Sequence, residues 1–434
     1  MSKKKQKPTN QIRKVKSYKS ITEYHMPSNG LTILHEERKG TNVITSHIVY
    51  KVGARDENRG ETGIAHMLEH MLFKPTKFDI KRKTDSGSMK FERDTGIILN
   101  ATTWKDRTHY FFSYPKEYFE RPLQTAAEQM YGVVLNDKEF QPERTNVLSE
   151  YDMHAGDPEF ALSVDMVSTA FQSHPYGHET IGYREDIENY TVDKLQRFYD
   201  KYYATNNATL IIIGDIGERL MKKYVEKHFA SLKPSKTFEP RIEITEPIQE
   251  GKREISITRD SSQLLLAIGV KHDGFPSPSW YKTAVLFEIL AGGEDSIFHK
   301  KLVDTGKISS VDEMIEPMFD RNLGILFFKL NKTQNHEKTF EQAIKLIHGL
   351  DEKDINPYLK KLIPKMKRQE RLSREGSLKF SYALVEYVAA SAWEEIFNVE
   401  TKLKELTSKD IVQHAKLLFS DNNMTVGKYH GTQK

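Results

Sequence analysis

Residues 63–74 read GIAHMLEHMLFK, with two histidines four positions apart and a glutamate directly before the second. On a helix, residues four apart lie one above the other with Cβ atoms about 5–6 Å apart. His66 and His70 can therefore close on one metal ion. Glu69, three positions after His66, lies beside them and is badly placed to ligate the ion that its neighbour His70 holds. Two imidazoles leave a zinc ion short of ligands, so this chemistry needs a third protein group from elsewhere. Zinc lowers the pKa of a bound water to about 7, and Glu69 stands where a carboxylate can take that water's proton. The rival reading is a charged helix face with two ordinary histidines. With 16 histidines in the chain, the pattern alone does not choose between them.

A second stretch, QPERTNVLSEYDMH (141–154), bears on the missing ligand. Pro142 reads as a first helical residue. Glu143, Val147, Glu150 and His154 then share one helical stripe. Two carboxylates and an imidazole are costly to bury without a cation or hydrogen-bond donors. On geometry alone either Glu150 or His154 can be the third ligand, and a salt-bridged surface is the alternative to both.

The elements that must position these groups follow from periodicity and punctuation. TNVITSHIVYKVGA and GIILNA, RTHYFFSY and LGILFFKL read as strands, and helical periodicity marks the segments near 117–131, 142–155, 159–171, 335–350 and 377–397. The chain also repeats a plan. TVDKLQRFYDKYYATNNATLIIIG starts at Thr191 and TSKDIVQHAKLLFSDNNMTVGKYHG at Thr407, and each reads as a Thr-capped helix, an Asn-Asn turn and a strand. The front ends match as well, since SSQLLLAIGVKHDG and SWYKTAVLFEILAGG repeat the strand-then-helix order of the first half. Residues 232–253 carry prolines, charge and no sustained period, which marks a linker. The expected architecture is α+β, with two similar domains at 24–231 and 254–434, each a mainly antiparallel sheet packed with helices.

Composition narrows the function classes. At 434 residues the chain is too long for one ordinary core, and 38% hydrophobic residues suffice for packed domains. A formal charge of +4 over that length points to no nucleic-acid partner, and no apolar run reaches the roughly 20 residues of a membrane helix. With no cysteine, a bound metal must use His, Asp or Glu. The basic start, MSKKKQKPTNQIRKVKSYKS, lacks the apolar core of an export signal. A solvated, disordered arm is expected over residues 1–23, and a cytoplasmic location, with an organelle as the alternative.

Several of these stretches, in order, resemble the pitrilysin/insulinase family of zinc peptidases, especially its mitochondrial processing peptidase-like branch. GIAHMLEHMLFK carries the H-x-x-E-H signature of inverted zincins. NATTWKDRTHYFFSYP, PERTNVLSEYDM and HPYGHETIGYREDIENYT are similar to later family motifs, and the likeness runs from about residue 24 to the end. The resemblance implies His66, His70 and Glu150 as zinc ligands and Glu69 as general base. It favours Glu150 over His154. It also implies that Glu143 supports the site by orienting a histidine, and that Asn100 and Ala101 lie on a strand whose edge pairs with the peptide substrate.

Where the first half has HMLEH the second reads AVLFE, which cannot bind zinc, so the second domain contributes shape. In the family four such domains form a hollow clamshell around unfolded peptides. This chain supplies half of one, so a dimer is implied. Family members that act alone carry an Arg and a Tyr in the second half, where this chain has GGEDSIFHKKLVDTGKISSV. Ile297 or Val303 stands in place of the arginine and Ser309 in place of the tyrosine; Lys300 and Lys301 cannot reproduce a guanidinium fork. A heterodimer is therefore expected, with a homologous subunit supplying Arg and Tyr, and a homodimer as the alternative. The functional expectation is a zinc endopeptidase for extended peptides. Its rival is a non-catalytic structural or peptide-binding subunit of the same family.

Overall fold

The computed structural model describes residues 12–83, 87–332 and 334–432. Two compact units divide the chain, and neither is a continuous stretch. Unit 1 comprises Met1–Leu148, Thr180–Ile242 and Leu372–Glu394; unit 2 comprises Ser149–Glu179, Glu243–Arg371 and Glu395–Lys434. The helices used below are α1 (Ile64–Met71), α2 (Asp137–Ala155), α3 (Pro158–Ala170), α4 (Val192–Tyr202), α5 (Pro278–Ala291), α6 (His336–His348), α7 (Glu352–Glu375), α8 (Ser377–Ala389) and α9 (Ser408–Leu418).

Unit 1 is built on β1 (Arg13–Tyr18), β2 (Ile21–Met26), β3 (Leu31–Glu37), β4 (Val43–Tyr50), β5 (Ile98–Thr103), β6 (Thr108–Pro115) and β7 (Ala208–Gly214), in the order β1-β2-β3-β7-β4-β6-β5. Unit 2 is built on β8 (Arg253–Arg259), β9 (Leu264–His272), β10 (Ile308–Met314), β11 (Asn322–Leu330) and β12 (Met424–Gly431), in the order β10-β11-β9-β12-β8. Reading β3-β7-β4-β6-β5 against β8-β12-β9-β11-β10 gives the same plan twice. Each sheet has one parallel pair, β3 with β7 and β8 with β12, and is otherwise antiparallel. The repeated sequence lies at matching places. Thr191 and Thr407 cap α4 and α9 by accepting from Lys194 N and Asp410 N, and both helices lead through an Asn-Asn turn into the parallel strand.

Helices are exchanged between the halves. α3, from the first half of the sequence, packs on β8, β9 and β12 of unit 2; α8, from the second, packs on β4 and β7 of unit 1. Glycines make the first contact possible. A Cβ on Gly269 or Gly427 would come within 2.8 Å of Met166, so the flat strand surface there admits the α3 side chains Leu162 and Met166. The single boundary expected at 232–253 is thus not how the compact units divide. Residues 232–252 do carry neither helix nor strand. They are tied down all the same: Arg241 bonds Asp56 in unit 1, and Glu246 accepts backbone N–H groups of Gln172, Ser173 and His174 in unit 2.

The expected disordered arm needs correction. Residues 1–11 lie outside the described residues, but Arg13–Tyr18 form an edge strand antiparallel to β2, turned through Lys19 at φ 52°. Main-chain pairing does not depend on side-chain polarity, and the exposed lysines suit an edge strand by discouraging further pairing. Tyr18 meets the Trp393 ring edge-on at 6.3 Å, which gives the strand an apolar anchor. Pro142 is also misplaced by the sequence reading. α2 starts at Asp137, where Asn136 Oδ1 accepts from Glu139 N at 3.0 Å, and Pro142 lies inside it.

The largely apolar face that α8 docks also carries one buried polar contact. His47 Nε2 lies 2.8 Å from Ser381 Oγ, and Ser381 in turn donates to Leu378 O at 3.0 Å. Ser381 must then accept from His47, which leaves His47 Nδ1 to accept from His109 Nδ1 at 3.1 Å. His109 Nε2 accepts from Thr102 Oγ1 at 2.8 Å. One chain of donors therefore runs from Thr102 on β5 to the backbone of α8, and it fixes both tautomers. An added proton would set two donors face to face. Burial, helped by the charge of Arg107, pushes the His47 imidazole down to about 3, and burial pushes His109 well below its usual value. Unfolded histidine titrates near pH 6.5, so the unfolded chain takes up protons below that pH that the folded chain refuses. Stability is expected to fall as the pH drops below about 6.5, by up to about 1.4 kcal/mol per pH unit for each imidazole. Thermal melts from pH 7.5 to 5.0 should show this fall, and His47→Gln should make its slope shallower; an unchanged slope would remove His47 from the account.

Candidate metal centre

α1 begins at Gly63, whose φ of +86° and close approach to Ile181 O, 2.2 Å from where a Cβ would stand, admit only glycine. The first N–H groups of a helix lack intrahelical partners, and here Glu57 supplies them: its carboxylate accepts from Gly63 N at 2.7 Å and Ala65 N at 3.0 Å. Thr62 donates through N and Oγ1 to Asp186 Oδ2 at 3.1 and 2.6 Å, which fixes the turn before the helix. One side of α1 (Ile64, Met67, Leu68 and Met71) is fully buried, and the half-buried His66 and His70 face the other way. Their rings meet edge-on, with Nε2 atoms 3.3 Å apart.

α2 presents the expected stripe. Phe140, Glu143 and Val147 are buried along it, and Glu150 follows on the next turn of the same continuous helix, just past the division after Leu148. Glu143 Oε1 accepts from His70 Nδ1 at 2.9 Å, and its other oxygen pairs with Lys74. Burial alone would raise this carboxyl, but the bonds from His70 and Lys74 overcome it and hold Glu143 down at about 2. Glu143 is thus ionised, and by accepting the Nδ1–H hydrogen bond it leaves the His70 Nε2 lone pair facing His66.

Among the described residues, His66, His70 and Glu150 are the group whose ligand atoms all lie within 4.8 Å of one another. His154 lies outside it, 3.7 Å from the Glu150 carboxylate with its ring against Phe160. The donor set fits zinc. Zinc–nitrogen bonds of about 2.0–2.1 Å at tetrahedral angles separate two ligand atoms by roughly 3.3 Å, the spacing the imidazoles already have.

Glu69 is buried, and it accepts from Thr103 Oγ1 at 2.7 Å. Thr103 ends β5, the sheet's outer strand, which packs beside α1. On that strand Ala101 is buried, Asn100 is exposed, and Ala101 N donates to Asn100 Oδ1 at 2.8 Å. Sequence reasoning missed Thr103, Lys74 and Glu57. Lys74 was within reach as the residue four beyond His70, and Thr103 as the alternate neighbour of Ala101. In unit 2, α5 has Leu286 and Phe287 wholly buried at the corresponding place; Ile297 is buried, and Ser309 is bonded to Asn331.

Residues 32–184 match the insulinase (peptidase family M16) model, and residues 189–362 match the model of the peptidase M16 inactive domain. The chain belongs to the peptidase M16 family. It is 28% identical over 403 residues to the zinc protease PqqE of Helicobacter pylori, covering 92% of this chain and 90% of that one. It is 27% identical over 283 residues to a probable mitochondrial-processing peptidase subunit beta of Schizosaccharomyces pombe, covering 63% and 59% of the two chains. The crystal structure of a protease from Helicobacter pylori superposes with a TM-score of 0.86 at 26% identity, over 97% of this chain and 99% of that one.

Gly63→Ala should destabilise the protein by roughly 1–3 kcal/mol, the range for a strained backbone position. Urea unfolding measures this, and an unchanged midpoint would show that the α1 start tolerates a side chain.

Proposed function

We propose that this chain is the metal-bearing subunit of a zinc endopeptidase that cleaves extended or unfolded peptides. The observation that carries the reading is the convergence of His66 Nε2, His70 Nε2 and a Glu150 oxygen, with Glu69 beside them and outside the ligand set. His66, His70 and Glu150 would hold the ion, and Glu143 orients His70 through Nδ1. A zinc ion there supplies Lewis-acid activation of the scissile carbonyl and of the attacking water. Glu69, aimed by Thr103, takes the proton from that water and delivers it to the leaving amine. The outer edge of β5 offers main-chain groups to an extended substrate, and Asn100 and Ala101 would lie along it.

The second unit supports a partnered enzyme. Its counterpart of the α1 motif, AVLFE, has no histidine, and the Ile297–Ser309 stretch brings no arginine or tyrosine. A homologous subunit that supplies them would complete the site, and the Schizosaccharomyces pombe relative bears the name of one subunit of a processing peptidase.

Glu69→Gln should keep the zinc content of the parent protein while peptide hydrolysis falls by at least about 100-fold. Residual full activity would remove Glu69 from the mechanism. Glu150→Ala should lower zinc affinity, measured by competition with a chelator, and failure of the parent chain to bind zinc would favour a non-catalytic subunit. The chain purified alone should hydrolyse peptides slowly and gain activity with a homologous subunit recovered from its host. Full activity in isolation would overturn the heterodimer.

A further inference from the structure

Unit 2 carries a groove of about 530 Å³ that the metal chemistry does not use. Its apolar lining is Ile297, Leu302, Leu346 and Leu350, with Tyr358 beside them. Four lysines also line it. Lys300 is engaged, paired with Asp295 at 2.7 Å and lying over the Tyr358 ring. Lys301, Lys307 and Lys345 are exposed, and among the described residues no carboxylate lies within ion-pair distance of them. They come from three places: the helical turn His299–Val303, the loop before β10, and α6. Asp354 is the one carboxylate among the described lining residues, and it accepts from Asp351 N at the start of α7.

Ammonium groups gathered round a low-dielectric wall repel one another and concentrate a positive potential that favours an anionic occupant. The dispersion of the lysines over three elements suits an extended ligand better than a compact oxyanion. The apolar lining asks that the ligand carry apolar groups between its charges. A nucleic-acid backbone does not do this, and an acidic polypeptide does. We propose that the groove formed by the His299–Val303 turn, α6 and α7 binds acidic peptide segments bearing interspersed apolar side chains. As a capture site for substrate it rests on the peptidase reading; as a binding site it stands without it.

The test uses the full chain with Glu69→Gln, so that binding is read without cleavage. A fluorescent peptide of alternating Glu and Leu should bind by anisotropy, and binding should weaken as salt rises. The triple change Lys301→Glu, Lys307→Glu and Lys345→Glu, all at exposed positions, should weaken that binding at least tenfold while leaving the thermal midpoint and zinc content unaltered. Equal affinity for a Lys-Leu peptide, an unaffected triple variant, or displacement of the acidic peptide by millimolar inorganic phosphate would each overturn the proposal. Loss of hydrolysis in the parent chain would not bear on it, so the two readings fail separately.

Discussion

The hydrogen bond from His70 Nδ1 to Glu143 joins the two helices that make the centre. It selects the imidazole tautomer and turns Nε2 toward His66. It also sets the rotation and height of α2 against α1, so that Glu150, two turns beyond Glu143, reaches the same place. A carboxylate held near 2 stays charged at any pH at which the protein works, so the tautomer does not drift. Lys74 on the other oxygen keeps this acceptor from competing with Glu150 for a cation. The three candidate ligands are therefore arranged by a contact that lies outside the ligand set.

Around that contact the fold is a duplicated plan with unequal duties. The same five-strand order occurs twice, yet one copy opens its first helix to polar chemistry and the other buries Leu286 and Phe287 there. Unit 1 accepts buried polar groups in return for a defined geometry. The donor chain from Thr102 through His109 and His47 to Ser381 ends on β5, one residue from the threonine that holds Glu69. The outer strand beside the candidate metal site is thus fastened from behind by hydrogen bonds that each allow only one arrangement.

What the sequence made legible is what helical spacing dictates. His66, Glu69 and His70 on one helix, and Glu143, Val147 and Glu150 on another, are related by covalent geometry alone, and the threonine caps at Thr191 and Thr407 announced the repeat. The choice between Glu150 and His154 was not open to spacing, since both lie on the stripe. Contacts between elements distant in sequence were invisible for the same reason. Nothing in FERDTGIILNATT says that Thr103 will meet a glutamate thirty-four positions earlier. Nor does the basic start say that main-chain pairing with β2 will order Arg13–Tyr18 despite their charge. The exchange of α3 and α8 was hidden too, because an amphipathic stripe states that a helix will be covered and not by which sheet.

That exchange changes what the linker can do. A protease that nicked the chain between residues 232 and 252 would not release two free-standing modules. The leading fragment would keep α3, which belongs on the β8–β9–β12 surface, and the trailing fragment would keep α8, which belongs on β4 and β7. Each piece would leave a bare apolar sheet face behind on parting, so the severed halves have reason to stay interlaced, and the gene cannot be shortened to its first half without stranding a helix.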